Sequence, residues 1–193
     1  MKTLSHIALF ICVATALAAA EPYFPKDSIS DFEQEWYAKH LSTMREPVLT
    51  ANAKDKSYVA FRILYLPTWG RPVALRYEKT GERIVRRAVM LSGDGGYDPG
   101  KIKKQDERDV KQSEIDDVFA GLERSGFWRL SPKDDVRGLD GSEFIVEVIR
   151  DGKYHAFFRW TPTHDTEKRG LAGILELSRR LFRQGKFGDQ IAY

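Results

Sequence analysis

Residues 142–160 read SEFIVEVIRDGKYHAFFRW, and this stretch decides the fold. Two alternating runs, Ser142–Arg150 and Lys153–Trp160, flank the dipeptide Asp151-Gly152. Side chains that alternate with period two belong to a strand with two distinct faces. An Asp-Gly pair between two such runs favours a two-residue turn with positive φ, which pins the register of a hairpin. Val148 then faces His155, Phe144 faces Arg159 and Glu143 faces Trp160. One face carries Phe144, Val146, Val148, His155, Phe157 and Arg159. The other carries Glu143, Ile145, Glu147, Tyr154, Ala156, Phe158 and Trp160.

Upstream, three more runs read as strands. Tyr58–Leu66 is rich in aromatic and branched residues, and Pro67-Thr68-Trp69-Gly70 ends it in a turn. Pro72–Lys79 and Ile84–Leu91 alternate on either side of Thr80-Gly81, with Arg76, Glu78 and Arg87 on what reads as a wetter face of an antiparallel meander. Residues 92–100, SGDGGYDPG, hold too much glycine and proline for a helix or a central strand. A short polar strand over about 101–110 follows.

Three segments read as helices. Ser30-Asp31-Phe32-Glu33 has the form of a capping box, and Phe32, Trp36 and Met44 mark an apolar stripe of a helix over 30–45. A second begins at Ser113 and presents Ile115, Val118, Phe119 and Leu122 on one stripe, with Gly126 just past its end. The last spans about 166–183, with Leu171, Ile174, Leu175, Leu181 and Phe182 aligned. The order α-β-β-β-(β)-α-β-β-α predicts an α+β fold. Its expected form is an antiparallel sheet of five to six strands with helices packed on one face.

The beginning of the chain has a different character. Residues 1–20 read MKTLSHIALFICVATALAAA, with Lys2 before an apolar run from Ile7 to Leu17 and small residues up to Ala20. That pattern is a cleavable signal peptide, and it is too short to be a comfortable membrane span. The expected mature chain, 21–193, is one α+β domain with its core in 58–183. Cys12 is the single cysteine and leaves with the leader, so the mature form has neither disulfide nor thiolate metal site. Export without cysteines suggests a bacterial periplasmic or secreted protein. Lys and Arg number 31 against 28 Asp and Glu, so the chain lacks the concentrated positive charge that nucleic-acid capture needs. No later segment is long and apolar enough for a membrane helix.

No motif fixes a reaction. Asp94 and Asp98 in the glycine loop offer carboxylates to a cation, but EF-hand spacing is absent and no GK[ST] follows for phosphate. Asp140 and Glu143, at the rim of the hairpin, are candidate general acid and base, and His155 is a third catalytic candidate. His155 and Arg159 share a hairpin face and together suit an anion, or else simply pack as a sheet ladder. His164, Asp165 and Glu167 fall short of a zinc ligand set, so no metal or other cofactor is expected. Arg179, Arg180, Arg183 and Lys186 complement the C-terminal dipole of the last helix. Trp69 and Tyr97 stand in a turn and a loop, where exposed aromatics often mark contact surfaces.

The segments GGYDPGK (95–101), GFWRL (126–130) and GLDGSEFIVEVIRDGKYHAFFRW (138–160), with the closing leucine-rich helix, resemble a group of uncharacterised exported bacterial proteins. The resemblance implies export and a shared fold, and it carries no catalytic residue. The expected function is a non-enzymatic module that binds a protein or an envelope component, of which an inhibitor or immunity role is one form. It would bind through Trp69, Asp94, Tyr97, Asp98, His155 and Arg159. The competing expectation is a small periplasmic hydrolase using Asp140, Glu143 or His155.

Overall fold

The computed structural model describes residues 21–188, so the expected leader lies outside the described residues. Six strands form one antiparallel sheet: β1 (Val59–Pro67), β2 (Val73–Thr80), β3 (Arg83–Leu91), β4 (Ile102–Asp109), β5 (Ser142–Arg150) and β6 (Lys153–Trp160). Their spatial order is β4-β3-β2-β1-β5-β6. Three helices accompany them: α1 (Asp31–Thr43), α2 (Gln112–Arg124) and α3 (Ala172–Gln184). The α+β class and the element order agree with the sequence pattern.

The β5–β6 hairpin has the register its turn predicts, with Val148 opposite His155, Phe144 opposite Arg159 and Glu143 opposite Trp160. Asp151 and Gly152 take φ of 54° and 72°, the left-handed values that an Asp-Gly turn tolerates. Ser30 and Glu33 form the complete capping box at the start of α1.

Both faces of the sheet are covered. Phe61, Ile63, Tyr65, Leu75, Phe144, Val146 and Phe157 meet α2 and α3 on one face, burying Ile115, Leu122, Ile174, Leu175 and Phe182. The opposite face carries Leu64, Leu66, Val89, Ile145 and Phe158 beneath Tyr37, Leu41 and Met44 of α1 and its flank, with Phe24 from the lead-in. This corrects the expectation of helices on one face. It also corrects the expected stripe of α1. The helix turns Tyr37, His40 and Leu41 inward and leaves Phe32 exposed, because the sheet lies under its other side.

The expected wetter face is buried for a reason visible in the register. Arg62, Arg76 and Arg87 stand directly opposite one another on β1, β2 and β3, with Glu147 on β5 beside Arg62 and Glu107 on β4 beside Arg87. Three adjacent guanidinium groups repel unless anions intervene. Glu46, from the turn after α1, supplies one to all three. Its carboxylate lies 3.7 Å from Arg62 and 2.8 Å from Arg76, and it also contacts Arg87. Arg62 forms a two-pronged contact with Glu147 at 2.5 and 2.6 Å. Arg62 Nη1 donates to the Pro47 carbonyl at 2.8 Å and Arg87 Nη2 to the Met44 carbonyl at 2.7 Å, while Arg76 also contacts Glu78 and Arg87 lies 3.1 Å from Glu107. Burial disfavours the charge on Arg62, and Glu147 and Glu46 outweigh it, so its pKa rises above the ordinary value.

α3 starts later than its pattern suggests. Asp165 and Gly170 adopt positive φ, and Arg169 donates to the carbonyls of Trp160, Thr161 and His164, which holds 161–170 as a compact loop.

Candidate functional site

At the end of the sheet where β1 finishes and β5 begins, five segments converge on one cleft of about 300 Å³. α1 contributes Phe32 and Trp36, the β1–β2 turn Thr68, and the glycine loop Gly96 and Tyr97. The 138–143 segment adds Leu139, Asp140 and Glu143, and β6 ends there at Trp160. Residues 64 positions apart in the chain, such as Phe32 and Gly96, line this cleft together.

The glycines of the 92–100 loop explain that convergence. The Gly95 amide donates to the carbonyls of Pro67 and Gly70, the Gly96 amide donates to Thr68, and Trp36 Nε1 donates to the Gly95 carbonyl at 2.7 Å. A Cβ on Gly95 would lie 2.6 Å from the carbonyl carbon of Leu66, so only glycine permits the loop to sit this close to β1. On the other wall, Gly138 and Gly141 lie flat against the Trp160 indole, and a Cβ at either position would collide with the ring. The Thr68 amide donates to the Gly141 carbonyl at 2.8 Å, joining the two walls.

The rim is apolar and open. Phe32, Trp69, Tyr97 and Leu139 are 72, 70, 55 and 100% exposed. Trp69 stacks on Tyr97 with ring centroids 5.0 Å apart, and Phe32 leans on Trp36 at 5.8 Å. Exposed apolar side chains this close together form a patch of the kind through which soluble proteins often make contacts.

Glu143 forms the floor. Tyr37 donates its hydroxyl to Glu143 Oε2 at 3.0 Å. Burial pushes the Glu143 carboxyl up to about 7, against the Tyr37 hydrogen bond, which favours the carboxylate. Glu33 raises it further, while Arg137 and Lys133 act in the other direction from outside the cleft. Those two cations are engaged elsewhere, Lys133 with Glu33 at 3.7 Å and Arg137 with Asp134 at 3.9 Å. Tyr37 is itself raised, by burial and by the Glu143 charge. Asp140 stands exposed on the lip.

The other expected residues fall in three places. Asp94 and Asp98 are exposed on the glycine loop and do not line the cleft. Asp98 is tied down by the Gly100 amide at 2.7 Å and lies 4.0 Å from Lys39. His155 is on the opposite face of the sheet, against Phe127 and Trp128 at 5.0 and 5.8 Å, and burial lowers its pKa. Arg159 is 2% exposed. It lies over the Phe157 ring at 4.1 Å, donates to Ser131 and Pro132 carbonyls, and pairs with Asp134 at 3.1 Å. The cleft therefore joins Tyr97, Asp140 and Glu143, with Trp69 beside them, and excludes His155 and Arg159.

Sequence reasoning missed Phe32, Trp36, Tyr37 and Trp160 as site residues. Spacing alone places Phe32 and Trp36 in a core stripe, and nothing in the sequence links Tyr37 to Glu143 across 106 positions. Among the described residues, no three His, Cys, Asp or Glu side chains come together as metal ligands, and no helix is long and apolar enough to cross a membrane. No family model and no curated protein matches the chain.

Proposed function

We propose that this is an exported, non-enzymatic binding module that grips a protein or envelope partner at the 138–143 cleft. The observation that carries the reading is the clustering of exposed apolar side chains. Of the five large ones in the described residues, Phe32, Tyr97 and Leu139 line this cleft, Trp69 stacks on Tyr97 beside it, and Trp128 lies elsewhere. A rigid aromatic rim around a concave floor supplies contact area at low cost in side-chain entropy. The leader pattern and the lone Cys12 support work in the periplasm or the medium. Chemical crosslinking in a periplasmic extract, with wild type against a Trp69→Ala, Tyr97→Ala double variant, tests the reading. A partner captured by wild type and lost in the double variant is expected. Identical capture by both proteins would refute it.

A second reading has one specific observation in its favour. A carboxyl held near neutrality in a cleft that also contains Asp140 suits general acid catalysis, as in a small hydrolase. Glu143→Gln and Asp140→Asn distinguish the two. If purified protein cleaves cell-wall glycan or peptide and both substitutions abolish the cleavage, the enzyme replaces the binder.

A further inference from the structure

We infer that the 138–143 cleft takes the protonated side chain of a lysine presented by the partner protein, with the ammonium group seated on Glu143 between the aromatic walls. The inference rests on the binding reading above and gives it a ligand chemistry.

Three observations carry it. First, the lining has one sign of charge. In a chain where basic residues outnumber acidic ones, the cleft is lined by the carboxyls of Asp140 and Glu143 and, among the described residues, by no lysine or arginine. Second, the floor carboxyl has no cation of its own. The buried carboxylates of Glu46 and Glu147 on the same side of the sheet are in contact with arginines, whereas Glu143 has one neutral donor, Tyr37. An ionised carboxylate in that position is stabilised by any cation that enters. Third, Trp36, Tyr97 and Trp160 line the same space, and the faces of such rings attract an ammonium group electrostatically.

A long apolar stem ending in a charge matches a cleft with an apolar mouth and an anionic floor. The stem rests on aromatic and leucine surface while the head reaches the carboxylate. The exposed rim extends beyond what a small free amine would cover, which favours a side chain carried on a protein surface. Glu143 is faced by Tyr37 and Glu33 from α1 and by Lys133 and Arg137 from the segment before β5, with Asp140 on the lip. Ligand binding is therefore expected to strengthen as pH rises through the titration of Glu143.

The test titrates the purified protein with two blocked tripeptides, acetyl-Gly-Lys-Gly-amide and acetyl-Gly-norleucine-Gly-amide, followed by amide NMR shifts. The lysine peptide is expected to shift residues 32–37, 68–69, 95–97 and 138–143 and to bind about tenfold more tightly than the norleucine peptide, the worth of one charge-assisted contact. Glu143→Gln is expected to remove that preference while its melting temperature stays at or above wild type, which separates loss of the contact from loss of the fold. Equal binding of the two peptides would overturn the lysine inference and leave the cleft as a purely apolar binding site. Absence of any shift at these residues with either peptide would overturn both the inference and the cleft as a binding site.

Discussion

Glu143 and Glu147 lie on one face of β5, one full strand repeat apart on that face from Ile145, and their surroundings differ in kind. Glu147 is fully buried and answered on every side, by the two-pronged Arg62 contact and by Tyr154, which donates to Oε1 at 3.0 Å. Glu143 is partly exposed, sits at the base of an aromatic cleft and has a single neutral donor. The first carboxylate helps to specify the fold, because with Glu46, Glu78 and Glu107 it supplies the negative charge that lets three opposed arginines pack side by side. The second disfavours the folded state when ionised. A group that costs stability in isolation and lies in an open cleft is where a ligand is expected to act.

The largest effect should come from the arginine row. Glu46→Gln removes the one anion that touches all three guanidinium groups and leaves Arg62, Arg76 and Arg87 with only Glu147, Glu78 and Glu107. A loss of about 3–5 kcal/mol is expected in urea unfolding, the range for breaking one partner out of a buried ion pair. A loss within the scatter of surface substitutions would show that the row is solvated and that the contrast between the two glutamates is false.

Gly138→Ala should follow. The new methyl group must displace the Trp160 indole or lift the loop, at a cost of about 1–3 kcal/mol for overpacking. Amide shifts confined to 138–143 and the end of β6 would place the strain at the cleft wall. An unperturbed spectrum would mean that the loop does not press on the ring.

Glu143→Gln sharpens the comparison through pH. The folded-state carboxyl titrates at about 7 against an ordinary value of 4.5. Between these values the folded protein holds the proton more tightly than the unfolded chain does, so stability falls as pH rises through that window and is level above it. The substitution is therefore expected to add about 1–2 kcal/mol at pH 8.5 and almost nothing at pH 4, read from paired thermal melts. Stabilisation that is the same at both pH values would remove ionisation as its cause. The smallest effect belongs to Trp69→Ala, which should leave stability within about 0.5 kcal/mol while weakening partner capture.

These two regions were unequally legible in the sequence. The hairpin register followed from Asp151-Gly152 and the alternation on either side, because a two-residue turn leaves no freedom in pairing. The same logic, applied to Gly81-Glu82 between β2 and β3, puts Arg76 opposite Arg87 and thereby signals a buried demand for acid. Read one strand at a time, those arginines looked like a solvent face, and the helix that covers them was sent to the other side of the sheet. Asp140, Glu143, Trp69 and Tyr97 were picked out because they stand at rims and turns. Their union with Phe32, Trp36 and Trp160 depends on how the glycine loop and α1 pack across β1, which short-range pattern does not encode. Arg159 and His155 shared a face as expected, but that face is the one covered by α2, α3 and the 127–134 segment, so packing engages both.

Glu143, a carboxyl without a cationic partner among the described residues, lies at the floor of the proposed binding cleft. Residue-resolved carbon NMR of the glutamate carboxyls, followed through a pH titration, measures this most directly. A Glu143 midpoint of about 7 is expected in the free protein, and a lower one once the lysine tripeptide is bound. A midpoint near 4.5, the ordinary glutamate value, that does not move with the peptide would contradict this.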